Sequence, residues 1–188
     1  MKSGKNYTKP AGLIIAGCFF ALLQPALVPA QRQHDSLTNP EIDQLRDTAL
    51  EPDLRLKLYV TFARARLAAL ELARSDPKTT DRGQETHDRL QQFLDVYDEM
   101  NENIDTYVGR KSDLRKVLKT VIEADTEFQA KLRALKDAAN TAKEEAKHYE
   151  FLLSTALETL DTSAQDHREL LIEQEEAAKQ AKQKKSRK

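Results

Sequence analysis

The strongest constraint on the fold is a run of apolar residues over residues 114–160, spaced alternately three and four positions apart. This spacing places the side chains along one side of an α-helix, because the helix repeats every 3.6 residues. Asp125 is the only charged residue in the run. The seam comprises Leu114, Leu118, Val121, Asp125, Phe128, Leu132, Leu135, Ala139, Ala142, Ala146, Tyr149, Leu153, Ala156 and Leu160. It predicts helices packed side by side.

The seam is too long for one helix of a compact domain. A single helix from residue 114 to about residue 179 would be roughly 100 Å long. We therefore predict a turn near residues 137–141, where bulky seam residues give way to alanine. Thr141 and Glu144 there have the spacing of a capping box, and Asn140 can adopt the left-handed conformation before it. The alternative is one very long coiled-coil helix that needs a second chain to cover it.

Three shorter patterns precede the seam. Asn39 followed by Pro40 predicts a helix that starts there and runs to about residue 50. Residues 53–74 carry two apolar stripes, so we expect that helix to be covered on two sides. The stripes are Leu54, Leu58, Phe62, Ala65, Ala69 and Leu72, and Leu56, Tyr59, Ala63, Leu67 and Leu70. A further seam consists of Leu90, Phe93, Tyr97, Met100, Ile104 and Tyr107. Gly109 follows it as the expected left-handed end of that helix.

The patterns together predict an all-α fold. We expect an antiparallel up-down helical bundle over residues 40–178, with four long helices favoured. Three helices, one of them the long coiled-coil helix, are the alternative. The abundance of alanine, leucine, glutamate, lysine and glutamine supports helix over sheet.

The beginning of the chain predicts export. Lys2, Lys5 and Lys9 precede an apolar run that ends in small residues at Ala30. A basic region, an apolar region and a small-residue ending are typical of a cleaved signal peptide. We predict a signal peptide over residues 1–30, cleavage after Ala30, and a polar linker over residues 31–39. The expected location is the periplasm or the medium.

Two alternatives keep the protein at a membrane. The sequence Ile-Ala-Gly-Cys ending at Cys18 has the pattern of a lipoprotein cleavage box, which would make Cys18 the lipidated N-terminus. An uncleaved apolar segment could also serve as a membrane anchor. Cys18 is the only cysteine, so a chain cleaved after Ala30 has no thiol for a disulfide or a metal ligand.

The sequence predicts no catalytic, cofactor-binding or metal-binding residues. Carboxylate-bridged metal sites in bundles need a Glu-x-x-His motif on each of two helices. Glu145 and His148 form one such motif and no second exists, so we expect them to be a surface pair. A glycine-rich phosphate loop and a Gly-x-Ser-x-Gly motif are both missing from the sequence. We therefore predict that the protein is not an enzyme and needs no cofactor.

An acidic run lies within the seam that ends at Tyr107. It comprises Asp95, Asp98, Glu99, Glu102 and Asp105. Such oxygen ligands suit Ca²⁺, but a straight helix does not fold them around an ion. We expect instead that the bases opening the next helix lie beside this run in an antiparallel pair. Those bases are Arg110, Lys111, Arg115, Lys116 and Lys119.

Residues 179–188 form a basic tail that contains no acidic residue. The candidate anion-binding residues are Lys179, Lys182, Lys184, Lys185, Arg187 and Lys188. We predict that the tail is disordered, with an anionic lipid or a cell-surface polymer as its ligand. The tail has no aromatic residue for base stacking and the formal net charge of the chain is −1. Both observations argue against a nucleic-acid partner.

The predicted function is that of a non-catalytic, exported helical-bundle protein, a structural or protein-interaction module of the bacterial envelope. Its partner is an unidentified envelope protein, and a homodimer is a further candidate assembly. One alternative function is binding of an anionic membrane or surface polymer through the basic tail. Another is that of a periplasmic holdase-like chaperone, which would expose apolar surface between charged helices.

Overall fold

The computed structural model describes residues 36–186 and contains helices as its only regular secondary structure in that range. The all-α fold class is thus confirmed. Of the helices described, none is both long enough and apolar enough to cross a membrane. The predicted signal peptide, its cleavage after Ala30 and the alternative role of Cys18 lie outside the described residues. The helices are α1 (Asn39–Asp47), α2 (Pro52–Ser75), α3 (Arg82–Gly109), α4 (Arg115–Thr141), α5 (Lys143–Ala146) and α6 (Glu150–Ser186).

The long helices make their most extensive contacts in two pairs, α2 with α3 and α4 with α6. Each pair is an antiparallel hairpin, because residue numbers rise along one helix as those of their partners fall along the other. The contacts are Arg55–Asn103 and Arg74–Thr86 in the first pair, and Lys119–Glu175 and Arg133–Asp161 in the second. The hairpins then lie against each other with α2 beside α4 and α3 beside α6. Ion pairs from Arg64 to Glu127 and from Glu71 to Lys131 advance together along α2 and α4, so these two helices are parallel. As a result α3 and α4 follow each other in the chain but lie diagonally across the core.

The seam of residues 114–160 is interrupted at Ala142 and again at residues 147–149, a few residues after the turn predicted at 137–141. The predicted capping box is wrong. The Thr141 hydroxyl donates to the carbonyl oxygen of Ala138 at 2.8 Å, and Ala142 stands at the start of α5 without a side-chain cap. The chain turns where the seam residues are alanines, whose small side chains provide little packing between a straight helix and its neighbours.

The core follows the seams predicted for α3, α4 and α6 but only one of the two stripes of α2. All residues of the second α2 stripe are buried. In the first stripe only Phe62 is buried, while Leu54 and Leu72 are 45% and 71% exposed. The prediction that α2 is covered on two sides is therefore wrong. Both α3 and α4 pack on the same half of its circumference.

The ends of α1 and α3 also differ from the prediction. Thr38, rather than Asn39, is the residue that caps α1, and its backbone N–H donates to the carboxylate of Glu41 at 2.7 Å. Gly109 is the last residue of α3 and has no positive φ. The left-handed residue is Lys111, with a φ of 58°. The left-handed residue that ends the turn after α3 thus lies two positions later than predicted, at Lys111 instead of Gly109.

The two glycines of α3 provide a matched pair of stability tests. A Cβ atom on Gly83 would lie 2.8 Å from the His148 ring and 3.0 Å from the carbonyl oxygen of Glu145, whereas nothing lies within 4 Å at Gly109. We expect Gly83→Ala to lower the free energy of unfolding by about 1–2 kcal/mol through overpacking. Gly109→Ala should leave it unchanged or raise it by about 0.5 kcal/mol. Urea denaturation measures both, and equal effects would contradict the close packing at Gly83.

Helix α1 is held on α2 by one largely buried ion pair. The Arg66 guanidinium bonds both carboxylate oxygens of Glu41, at 2.6 and 2.9 Å, and the carbonyl oxygen of Ser36. Burial opposes ionisation of Glu41, but the bonds from Arg66 and Thr38 outweigh it and lower the pKa of its carboxyl group. A carboxylate with a lowered pKa in the folded state stabilises that state above its unfolded value of 4.5 and loses this effect as the pH falls.

We therefore expect Glu41→Gln to destabilise the docking of α1 by about 1 kcal/mol at pH 7. The difference from the wild type should shrink as the pH falls below about 4.5. Amide hydrogen exchange in α1 is the measurement. Asp43→Asn, in an exposed pair with Arg46, is the control and should change exchange little. A difference that grows as the pH falls would refute the assignment.

Candidate functional site

The most distinctive buried group is a polar network in the apolar core, formed by Tyr97 of α3, Asp125 of α4 and His167 of α6. The Tyr97 hydroxyl donates to Asp125 Oδ1 at 2.8 Å, and His167 Nδ1 lies 2.9 Å from Asp125 Oδ2. Asp125 and Tyr97 have no exposed surface and His167 is 4% exposed. We call these three residues the core polar network.

The network satisfies a charge that would otherwise be costly to bury. Each Asp125 oxygen has one partner, which is the condition under which a buried carboxylate is tolerated. Burial and then the charge of Asp125 raise the pKa of the Tyr97 hydroxyl, so Tyr97 remains a donor. Beside the network, Asn101 Nδ2 donates to Ser163 Oγ at 3.0 Å and links α3 to α6 a second time.

The presence of a serine, a histidine and an aspartate here does not make a catalytic triad. In a triad the nucleophilic oxygen contacts the histidine nitrogen that the aspartate leaves free. Within residues 36–186, the bond found for Ser163 Oγ is to Asn101, and none joins it to His167. The network residues also lie beneath the packed helices, where a substrate would displace core side chains. The geometry fixes the register of three helices.

Sequence reasoning did not identify this network. The predicted seam ends at Leu160, yet Ala164 and His167 further along α6 are both buried. Asp125 was the residue in the sequence that indicated such a network, because a carboxylate on an apolar seam requires a buried hydrogen-bond donor. Folding α4 against α6 brings residue 167 opposite residue 125.

Glu145 and His148 do not form the surface pair that the sequence predicts, because each contacts a different residue. Glu145 binds the Arg74 guanidinium at 2.5 Å in a largely buried ion pair, and the same guanidinium lies over the Tyr149 ring, 5.5 Å from its centroid. His148 is exposed and packs against Gly83. In the part of the chain that the structure describes, no three histidine, aspartate or glutamate residues converge as metal ligands would.

The basic residues predicted to bind anions lie on a helix. Helix α6 continues to Ser186, whereas a disordered tail was expected from Lys179. Alanine, glutamine and lysine favour helix here, and bases near a helix C-terminus interact favourably with the helix dipole. Lys179, Lys182, Lys184 and Lys185 are all exposed on it, while Arg187 and Lys188 lie outside the described residues.

This part of α6 extends beyond the helices that cover it. Within residues 36–186, the last polar contacts of α6 with other segments are made by Gln174 and Glu175. Gln174 accepts a hydrogen bond from Leu114 N and donates one to Ser112 O, and Glu175 pairs with Lys119. Every residue from 179 to 186 is exposed. We call residues 179–186 the basic overhang. It is about 12 Å long.

The acidic residues of α3 lie apart from the bases of α4, so the expected pairing is wrong. Arg115 instead binds Asp113, and Lys119 lies 3.5 Å from Glu175. The reason is the diagonal placement of α3 and α4. Four acids share one face of α3, and we call them the acidic row: Asp95, Asp98, Glu102 and Asp105. Among residues 36–186, no base lies within ion-pair distance of any of the four.

The acidic row is electrostatically strained. Although Asp98 is exposed as a residue, its carboxyl group is partly desolvated by the atoms around it. This burial, together with the charges of Asp95 and Glu102, raises its pKa. Glu99, the remaining acid of the run, points away and hydrogen-bonds the hydroxyls of Ser36 and Tyr59. The row is thus a set of like charges held together on one helix without a countercharge from the described part of the chain.

Comparisons with protein-family models, with characterised proteins and with solved structures gave no match to this chain.

Proposed function

We propose that this protein is a non-catalytic interaction module of the bacterial envelope, with the basic overhang as its contact element. The single observation that supports this proposal is the overhang itself. It presents four exposed lysines and no acid on a helix that is already formed. A preformed helix loses less conformational freedom on binding than a disordered tail, which favours affinity.

Charge patterning supports a local contact over a global one. The formal net charge of the chain is −1, so the molecule as a whole does not attract anions. An acidic protein surface or an anionic lipid surface would meet positive charge at the overhang. The proposed partner is an envelope protein with an acidic face, and an anionic membrane or surface polymer is the alternative.

The test is capture of partners from envelope extract by the wild type and by a variant with Lys179, Lys182, Lys184 and Lys185 replaced by glutamine. This variant keeps the length and helix propensity of α6. The matched control replaces four exposed bases elsewhere, Lys78, Lys136, Lys143 and Arg168. We expect the overhang variant to lose binding at least tenfold and the control to retain it. Equal capture by all three proteins would eliminate the overhang as the contact element.

The anionic-surface alternative has its own signature. Binding to vesicles that contain phosphatidylglycerol should depend on the same four lysines and weaken steeply as salt screens the charges. If the protein binds these vesicles but captures no envelope protein, the partner of the overhang is a lipid surface.

Location in the envelope rests on the sequence of residues 1–30. We propose that the exported protein begins at Gln31 after cleavage behind Ala30. Intact mass measurement of the exported protein tests this. A mass that includes residues 1–30, or acyl chains on Cys18, would support an anchored or lipidated form instead.

We also propose that the four long helices form an up-down bundle in solution. Its support is the antiparallel pairing of α4 with α6, in which Arg133 binds Asp161 and Lys119 approaches Glu175. Spin labels on exposed Thr126 and Asp166 should lie within about 20 Å if α6 folds back, and about 60 Å apart along one continuous helix. The longer distance would favour the extended coiled coil.

A second candidate function is that of a holdase-like chaperone. It is favoured by large apolar side chains that are mostly exposed, including Leu50, Leu72 and Phe151 at 93%, 71% and 85%. A holdase should suppress aggregation of an unfolded client, and replacing Leu72 and Phe151 with serine should weaken that effect. Unchanged suppression by this variant would remove the support.

A further inference from the structure

No helix among residues 36–186 covers the basic overhang, and the same part of the chain carries a surface of opposite charge. The acidic row on α3 has four carboxylates over about 15 Å of helix, close to the 12 Å length of the overhang. The overhang contributes Lys179, Lys182 and Lys185, each three residues from the next, while the acids of the row are spaced three, four and three residues apart. Each surface has the charge that the other lacks.

The overhang cannot reach the acidic row of its own chain. Helices α3 and α6 are parallel, with Gly83 close to His148 at one end and Asn101 bound to Ser163 further along. Asp105 lies about 6 Å beyond Asn101, whereas Lys179 lies about 24 Å beyond Ser163 in the same direction. The gap of about 18 Å along the axis exceeds the reach of a lysine side chain. Within residues 36–186, the overhang therefore cannot supply the countercharge of the acidic row.

The positions of the two surfaces fit a twofold axis. Measured from Gly109, where α3 ends, Glu102 lies about 10 Å towards the body of the protein. Lys182 lies about 17 Å beyond the same end. A twofold axis perpendicular to the helices and close to Gly109 would bring Lys182 of one molecule beside Glu102 of the other, because the two residues lie at comparable distances on opposite sides of it. Each overhang then lies along the acidic row of the other molecule, and the contact closes on itself as an isologous dimer.

We propose that the partner of the basic overhang is a second copy of this chain, with the overhang of each molecule docked on the acidic row of the other. This inference rests on the proposed function of the overhang and names its partner. The formal net charge is −1 for the full chain and −4 without Lys2, Lys5 and Lys9 of the proposed signal peptide (−1 − 3), so two copies repel each other only weakly as wholes. The contact is made of exposed charges, so the dimer is salt-sensitive.

Charge reversal on each surface, followed by mixing, tests the proposal. One variant carries Lys179→Glu, Lys182→Glu and Lys185→Glu, and the other carries Asp98→Lys, Glu102→Lys and Asp105→Lys. We expect the wild type to sediment as a dimer at low salt and as a monomer at about 0.5 M salt. Each variant alone should be monomeric with an unchanged circular dichroism spectrum. An equimolar mixture should sediment as a dimer again, because both contacts regain opposite charges.

The matched control carries Lys78→Glu, Lys136→Glu and Lys143→Glu, three exposed bases outside the contact, and should remain dimeric. A wild type that is monomeric at every salt concentration, or a mixture that fails to pair, would overturn the inference. If that monomer still binds an acidic envelope protein or phosphatidylglycerol vesicles through the overhang, the proposed function survives with another partner. A protein that neither dimerises nor binds an acidic protein or anionic vesicles through the overhang would contradict both this inference and the proposed function.

Discussion

Replacing Asp125 with alanine should lower the free energy of unfolding by about 3–5 kcal/mol, which is a large part of the stability of a domain of this size. The substitution leaves the Tyr97 hydroxyl and His167 buried without their acceptor, and it opens a cavity where three helices meet. Unpaired buried polar groups and cavities are both strongly destabilising. Urea denaturation followed by circular dichroism is the measurement.

The control is Asp166→Ala, one residue from His167 and exposed, which should change stability by less than about 0.5 kcal/mol. The double variant Asp125→Leu with His167→Leu removes the charge and its partner together, so it should lose less than the sum of its single variants. Additive losses would show that the two side chains do not act as a unit.

Leu132→Asp should prevent folding or lower the free energy of unfolding by more than about 4 kcal/mol. Leu132 is 1% exposed on the inner face of α4. An aspartate there loses the apolar contacts of leucine and has no nearby donor of the kind that Asp125 possesses. The loss of the cooperative unfolding transition, or a large drop in its urea midpoint, is the expected observation.

Lys136→Asp is the matched control, because Lys136 is exposed on the same helix one turn further on. It should leave the free energy of unfolding nearly unchanged. Lys131 is unsuitable, since it forms an ion pair with Glu71 at 2.6 Å and its replacement would set two acids side by side. Similar losses at positions 132 and 136 would mean that the buried face of α4 is assigned wrongly.

Apolar spacing was sufficient to predict which faces of α3, α4 and α6 are buried, because burial depends on the residues of the helix itself. It could not predict which helix covers each face. The expected pairing of α3 acids with α4 bases assumed that consecutive helices are neighbours. The diagonal arrangement of these helices depends on how two complete hairpins pack, and no single segment encodes it.

The overlooked core polar network has a similar origin. Asp125 was visible as an exception on an apolar seam, whereas His167 lies beyond Leu160, where the predicted seam ends. Their roles become apparent only when α6 lies antiparallel to α4, which places the histidine opposite the carboxylate. The basic overhang was identified by composition. Its helical form was missed because charge alone suggested disorder, although its residues are good helix formers.

The hairpin arrangement has a consequence for the order in which the chain folds. Each hairpin is a contiguous stretch, so α2 can pair with α3 before the second hairpin has packed. Contacts between segments near in sequence form quickly because little loop entropy opposes them. The core polar network takes its members from residues 97, 125 and 167, so its last bond must await the second hairpin. Until then Asp125 lacks one of its two partners, and the domain gains its full cooperative stability only when α6 brings His167 opposite Asp125.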